Sequence, residues 1–295
     1  MIDLHCHSTC SDGTCTPEEL AERGREFTAF ALTDHDNCEG CARFLAACRG
    51  QTGLRLAGVE LSIEPGAGYA KFHLLGLGID PASPRLNAFL DQIRAGRNER
   101  NRKIVARLAE LGMPVAEEEL LKYANGRVVA RPHIARVLMD HGWATSVKDA
   151  FERILGDGKP AYVTRDHPPQ AEAIEVVHAA GGVAVMAHPR YWTQDLAKLR
   201  AGLIRLKDLG LDAVEAVYGA NLPEETVEHL RVARALGLAV TAGSDFHGVN
   251  KPTVTLGMAT DDDAAFLAPL RARLDIASRL RSAGDCGKMG VHDFN

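Results

Sequence analysis

Twelve histidines are spread along the 295 residues, and six of them stand on or just after short apolar runs. His5 and His7 follow Ile2–Leu4, and His35 follows Ala29–Leu32. His73 lies inside Lys71–Leu77, His188 follows Val183–Met186, and His247 comes shortly after Leu238–Ala242. Asp12, Glu60 and Asp245 share these places. In His5-x-His7 both side chains project the same way, because residues two apart in an extended chain share a face. Asp245-x-His247 repeats the spacing near the other end. Neutral imidazoles mixed with carboxylates, without thiolates, suit Mn, Fe or Zn better than copper. Nine such groups exceed the roughly four to six ligands of one ion. Two to three divalent cations are therefore expected, Mn first and Fe or Zn as the other candidates. A single histidine at a strand end is ordinarily a hydrogen-bonded core or surface residue. The set argues otherwise, since three carboxylates and six imidazoles buried together without cations would be costly.

Clustered divalent ions hold a phosphoryl group, acidify a bridging water and stabilise charge on the attacking and leaving oxygens. The chemistry such a nest suits is phosphoester hydrolysis by in-line attack of a metal-bridging hydroxide, with no phosphoenzyme. His5, His7, Glu60, His188, Asp245 and His247 are the expected catalytic side chains. Substrate contacts are sought in cations. Arg131-Pro132-His133 opens a helical pattern, and an arginine at a helix N-terminus makes a phosphate site. Lys159 and Arg190 are further candidates, although solvated surface charge is the ordinary role of a single Lys or Arg. Tyr191, Trp192 and Tyr218 leave base stacking and core packing both open.

These residues need a frame that gathers them. Short apolar runs alternate with amphipathic stretches such as Pro17–Glu26, Gln170–Ala180, Leu196–Leu209 and Glu224–Leu236. That alternation implies an α/β protein with a mostly parallel sheet and helices outside. About seven strands point to a distorted TIM-like barrel, whose strand ends converge on one face. Residues 81–158 break the pattern with helical stretches alone, read here as a cap inserted over the barrel mouth. The barrel then comprises 1–80 and 159–281, and 282–295 read as a loose C-terminal tail.

Composition sets the outer limits. Hydrophobic residues make up 46% and charged residues 25%, the proportions of a soluble globular chain. A net charge of −5 argues against duplex DNA or an anionic membrane as partner, and leaves room for a small basic pocket. The longest apolar stretch, Gly181–Ala187, is far too short for a membrane span. Six of seven cysteines lie in the first 48 residues, including Cys38-x-x-Cys41, and Cys286 stands apart. With no secretion signal in MIDLHCHS, reduced thiols and a cytoplasmic location are expected.

The series HCHSTCSDGT, LTDHD, GVE, FHLLGL, AHPR and GSDFHG resembles the motifs of the PHP (polymerase and histidinol phosphatase) phosphoesterase family, in order and spacing. The resemblance implies a distorted seven-stranded barrel. It also implies that His5, His7, Glu60 and Asp245 hold one ion, and that Glu60 bridges to a second on His73 and His188. Asp12, His35 and His247 would hold a third. The stretch VARPHIARVL, the motif GKPAYV and the helical insert are similar to one branch in particular. That branch comprises phosphatases releasing the 3′-phosphate of nucleoside 3′,5′-bisphosphates and 5′-to-3′ exoribonucleases acting on short RNA. A small nucleotide or short oligonucleotide is thus the implied substrate. Histidinol-phosphate phosphatase, and a nucleotide-binding module without turnover, are the other readings.

Overall fold

The computed structural model describes residues 1–124 and 129–288, with side chains through residue 277. Its elements run β1 (Ile2–Asp3), α1 (Pro17–Arg23), β2 (Ala29–Leu32), α2 (Cys41–Ala47), β3 (Leu54–Ile63), β4 (Phe72–Leu77) and α3 (Pro84–Glu110). Then come α4 (Glu117–Leu121), α5 (Arg131–Asp140), α6 (Val147–Ala150), α7 (Gln170–Ala179), β5 (Val183–Met186) and α8 (Leu196–Asp208). β6 (Ala213–Tyr218), α9 (Pro223–Ala235), β7 (Ala239–Gly243) and α10 (Asp263–Lys288) complete the chain. Local chemistry explains the starts. Thr16 caps α1 by accepting the Glu19 amide, Glu19 returns a bond to the Thr16 amide, and Pro17 occupies the first turn.

The seven strands pair in sequence order, and they form a nearly closed barrel surrounded by helices. Leu4 N donates to Ala242 O at 2.8 Å, and Cys6 bridges Phe246, which brings the two ends of the sheet together. Six strands follow the expected parallel sense. β4 runs against both β3 and β5. The eight residues 64–71 joining β3 to β4 are too few for a parallel crossover, which needs a dozen or more. The reversal carries a consequence for the site. His73 stands at the start of β4, yet this start lies at the same rim as the ends of the other strands.

Apolar residues inside the barrel (Leu4, Ala31, Leu75, Val185, Ala213 and Ala242 among them) form one core. The sheet's outer face packs against the helices in another. α3 divides between two bodies. Its first half, through Leu86, Leu90 and Ile93, packs on the barrel, whereas Ile104 and Leu108 join Leu120, Ile134, Leu138 and Leu155 in a separate core. The insert therefore has its own apolar centre, hung from a helix rooted in the barrel. Helix α10 corrects the expected loose tail, since residues 282–288 continue it. Extending a helix costs less than starting one, and the Ala-, Leu- and Arg-rich run before it propagates onward. Residues 289–295 lie outside the described residues. Among the described residues, no helix is long and apolar enough to cross a membrane.

Leu138 is fully buried in the insert's core. Leu138→Ala is expected to cost about 2–5 kcal/mol, read as a lower midpoint of chemical unfolding.

Candidate metal centre

The rim is assembled by hydrogen bonds that tie distant segments together. After β1 the chain runs on through His5 and His7, where His7 N donates to Phe246 O at 2.9 Å and Asp245 N to His5 O at 2.8 Å. The Asp3 carboxylate accepts from Ser244 Oγ at 2.6 Å and from the amides of Ser244, Gly257 and His5, which fixes this seam. Asp34 accepts from Ser8 Oγ and Ser11 Oγ, each at 2.6 Å, and from Ser8 N at 2.8 Å. Those bonds shape the loop that delivers Asp12. Glu60 projects from the middle of β3, and His188 follows β5. Among the described residues, three other than glycine have positive φ: Asp36 at 47°, His188 at 29° and Asp245 at 57°. Two of the three belong to the nest, so the backbone strain is concentrated at the site.

Glu60 is the hub. Its Oε2 lies 3.3 Å from His5 Nε2, 3.2 Å from His7 Nε2 and 2.8 Å from His35 Nδ1. Its Oε1 lies 2.5 Å from His73 Nδ1 and 3.0 Å from His188 Nε2. Asp245 Oδ1 is 3.3 Å from His7 Nε2, and Asp12 Oδ1 is 3.2 Å from His247 Nε2. Three groups have ligand atoms within 4.8 Å of one another: His5-His7-Glu60-Asp245, His7-Asp12-His35-His247 and His35-Glu60-His73. All nine expected residues therefore meet in one nest. The first group is the quartet that the resemblance implies, and His7 joins the expected trio of Asp12, His35 and His247. His188 approaches the same Glu60 oxygen as His73.

The donor set fits divalent cations on an observation internal to the protein. His5 Nε2, His7 Nε2, His35 Nδ1, Asp12 Oδ1 and Glu60 Oε2 are buried without any hydrogen-bond partner. Buried polar atoms are rarely left so, and these five point at one another. The charges push the same way. Burial opposes ionisation of Glu60, but His35, His73 and His5 hold it well below the usual carboxylate range. Burial likewise opposes ionised Asp12, and His247 and His35 outweigh it. The imidazoles divide. His7 is pushed up to about 9 by Asp245 and Glu60 against burial, whereas burial and His7 bring His247 down to about 4.

Several positioning residues carry no motif of their own. Glu215, fully buried on β6, accepts from His5 Nδ1 at 2.9 Å and from the His188 amide at 2.7 Å. It thereby turns His5 Nε2 toward the nest. The fit is close: a Cβ on Gly243 would lie 2.2 Å from Glu215 Oε1 and 2.4 Å from the His5 Cβ. Only glycine leaves room. Tyr218 Oη donates to Asp245 Oδ2 at 2.9 Å, and Lys251 Nζ to the same oxygen at 2.6 Å, so Oδ1 is the atom left to face the imidazoles. A lone acid within the apolar strand AVEAVY was the signal for Glu215.

Beside the nest opens a cleft of ≈ 710 Å³ between the barrel and the insert. Asp12, His35, His73 and His247 line it on one side. Arg97, Arg100, Arg131, Arg165, Lys71 and Lys251 line it too, and the acids among its walls are Asp12 and Asp157. Arg97 is held by Asp36 at 2.5 Å, and Arg165 by the same carboxylate at 3.4 Å. Arg100 is buried with Nη2 unpartnered. Burial, then Arg97, Arg131 and Arg165, brings Arg100 down to about 8. The polar stretch RAGRNERNRK held the signal, since Arg97 and Arg100 are three apart and share a helix face.

Of the expected substrate residues, Arg131 alone lines the cleft, and His133, Lys159 and Arg190 are placed elsewhere. Arg131 lines the cleft between the rings of Phe151 and Tyr162. His133 is buried, its Nδ1 accepting the Ala130 amide at 3.2 Å, and so caps α5. Lys159 is exposed outside the cleft lining. Arg190 pairs with Glu225 at 3.1 Å, away from that lining. Of the aromatics, Trp192 is core, stacked on Tyr69 with centroids 3.9 Å apart. Tyr191 remains exposed, 5.5 Å from the His188 ring.

Glu215→Gln presents an N–H to one of the two donors that Glu215 now accepts. The expected result is a drop of about 10–100-fold in metal affinity, measured by competition against a chromophoric chelator. Unchanged affinity would dismiss Glu215 from this role.

Comparison with known proteins agrees with this architecture. Residues 3–83 match the model of the PHP domain. The chain is 36% identical over 259 residues to the 5′-3′ exoribonuclease Rnm of Salmonella typhimurium, covering 84% of this chain and 85% of that one. It is 35% identical over 250 residues to a 3′,5′-nucleoside bisphosphate phosphatase of Chromobacterium violaceum, covering 83% and 87%. A solved structure from Bifidobacterium adolescentis, described as a metal-dependent phosphoesterase, superposes with a TM-score of 0.81 at 30% identity, covering 93% and 95%. With the nest, the barrel and these relatives agreeing, the chain belongs to the PHP-domain family and is a phosphoesterase, a hydrolase of phosphoric esters.

Proposed function

We propose that this enzyme removes the 3′-phosphate of nucleoside 3′,5′-bisphosphates, leaving a 5′-nucleotide and inorganic phosphate. The observation that carries the reading is the single cleft with two unlike ends. One wall carries Asp12, His35, His73 and His247 of the nest, and the other holds Arg97, Arg100, Arg131 and Arg165 in a chain of net charge −5. A substrate with two phosphates on one small body satisfies both ends. A histidinol phosphate has one phosphate and would bring no second anion to this wall, where Asp36 pairs with Arg97 and Arg165 and Asp157 with Arg131, while buried Arg100 leaves its Nη2 without a partner.

His5, His7, Glu60 and Asp245 would hold one divalent cation, with His73 and His188 sharing Glu60 for a second. Asp12, His35 and His247 would take a third. Mn is the first candidate, with Fe and Zn after it. Such cations supply Lewis-acid polarisation of phosphoryl oxygens and acidification of water. The chain's own residues do the rest. Arg131 and Arg100 anchor the phosphate that is not cleaved. Arg97, pinned by Asp36, and Arg165 complete that anchor, and Tyr162 and Phe151 keep the Arg131 guanidinium in plane. Lys251 reaches the cleft beside Asp245, where it adds positive charge next to the reacting phosphoryl group. The six free, buried thiols support a cytoplasmic setting.

A second reading has its own support, since relatives at 35–36% identity are called 5′-3′ exoribonucleases. There the anchored group is the terminal 5′-phosphate and the leaving group is the remaining RNA. Both readings use the same cleft, and they differ in what leaves.

The experiment that separates them measures phosphate release from adenosine 3′,5′-bisphosphate, from histidinol phosphate, and nucleotide release from a 5′-phosphorylated oligoribonucleotide. Fastest turnover on the bisphosphate is expected, and preference for histidinol phosphate would defeat the proposal. Arg131→Ala is expected to raise KM far more than it lowers kcat, and an unchanged KM would remove it from the anchor. A chelator is expected to abolish activity, and Mn to restore it more fully than Zn.

A further inference from the structure

The insert meets the barrel rim at more than the cleft wall, and one of those contacts ends on a metal ligand. Asn250 lies in the turn Gly248–Asn250 that directly follows His247. Its Nδ2 donates to the backbone carbonyl of Asp12 at 2.6 Å. Its Oδ1 accepts from Arg136 Nε at 2.9 Å, and from Arg136 Nη2 as well. Arg136 belongs to α5, five residues beyond Arg131 and on the same helix. The turn and the Asp12 loop are stitched again where Val249 N donates to Thr14 Oγ1 at 3.0 Å. His133, also on α5, meets the Ser11 backbone next to Asp12. The helix that presents Arg131 to the cleft is thus braced on the loop that presents Asp12 to the nest.

This bracing is selective. Asp12 and His247 occur in one of the three ligand groups, His7-Asp12-His35-His247, and in neither of the others. An asparagine side chain that is free to rotate holds its carbonyl partner weakly. Two guanidinium N–H groups on Oδ1 lock the amide so that Nδ2 must face Asp12. Losing Arg136 would leave Asn250 in place with its orientation undetermined, and Asp12 would then be held less firmly at its 3.2 Å approach to His247. The Glu60, His73 and His188 ligands have no part in this chain of bonds, and Asp245 meets it only at its far end, where its carbonyl oxygen lies 2.8 Å from His247 Nδ1.

We propose that Arg136 and Asn250 are positioning residues through which the insert sets the affinity of the Asp12-His35-His247 cation. The inference rests on the three-group reading of the nest and adds a control over one group from outside the barrel. Affinity for that cation would then depend on how α5 is seated, which is also what places Arg131 on the substrate.

The test titrates chelator-stripped enzyme with Mn²⁺ alone, following bound ion by electron paramagnetic resonance and by elemental analysis after dialysis. Wild type is expected to take up three equivalents, the weakest of them being the one at issue. In Arg136→Ala and Asn250→Ala that weakest equivalent is expected to bind about tenfold more weakly, with the first two unchanged. Arg136→Lys, which keeps one donor to Oδ1, is expected to recover part of the loss. An unaltered third equivalent in Arg136→Ala would overturn the proposal. Equal weakening of all three would overturn it too, since that would mark general damage. Wild type that binds no more than two equivalents would overturn the three-group reading itself and this proposal with it.

Discussion

Everything at this barrel's rim follows from the cost of burying like charges. Glu60, Asp245 and Asp12 are all nearly inaccessible to water and lie in one cluster with six imidazoles. Three carboxylates in so small a volume repel one another unless positive charge lies between them. In the protein alone that charge falls to the histidines, and unevenly: Asp245 and Glu60 drive His7 up to about 9 against burial, whereas burial, with His7 beside it, drives His247 down to about 4. Divalent cations resolve this conflict directly, as each ion supplies charge to several carboxylates while accepting lone pairs from neutral imidazoles. The five orphaned ligand atoms are the geometric side of the same requirement.

The fold supplies the rigidity this cluster needs. Ligands come from both ends of the chain and from strands in between, and the backbone holds His188 and Asp245 in positive-φ conformations. Such strain persists only when surrounding bonds determine it. Those bonds are visible: Asp3 across the seam to Ser244, Glu215 to His5 and to the His188 amide, Tyr218 and Lys251 to Asp245. The missing side chain at Gly243 belongs to the same scheme, because Glu215 and His5 meet over it.

Much of this was legible in the residues. The seven strands, the helical stretch after β4 and the gathering of six imidazoles and three carboxylates at one rim follow from type, spacing and periodicity. What escaped was set by relations between distant segments. Arg97 and Arg100 stand in a polar run of a helical stretch, RAGRNERNRK, and the packing of α3's first half on the barrel is what turns them inward to Asp36 and the cleft. His133 reads as a substrate residue because it follows Arg131-Pro132, whereas the helix start itself consumes its Nδ1. Lys159 sits in a motif-like stretch, and its exposure depends on how the insert ends. The reversal of β4 was implicit in the eight-residue link before it, although an apolar run carries no sign of direction.

The two walls of the cleft differ in how they are built, and this bears on what the fold can be made to do. Nest ligands stand on strands and on loops locked by buried carboxylates, so their geometry belongs to the barrel. Of the cations opposite, Arg131 stands on α5 in a body with its own apolar core. Arg97 and Arg100 lie on the middle of α3, where that helix passes from one core to the other. Under the proposed function, a change in the insert would act first on the anchor for the second phosphate, and would reach the nest through Arg136 and Asn250 at Asp12. Two relatives at nearly equal identity to this chain are called an exoribonuclease and a nucleoside bisphosphate phosphatase. On the proposed function, the reaction belongs to the nest around Glu60 and the choice of substrate to the arginines that face it.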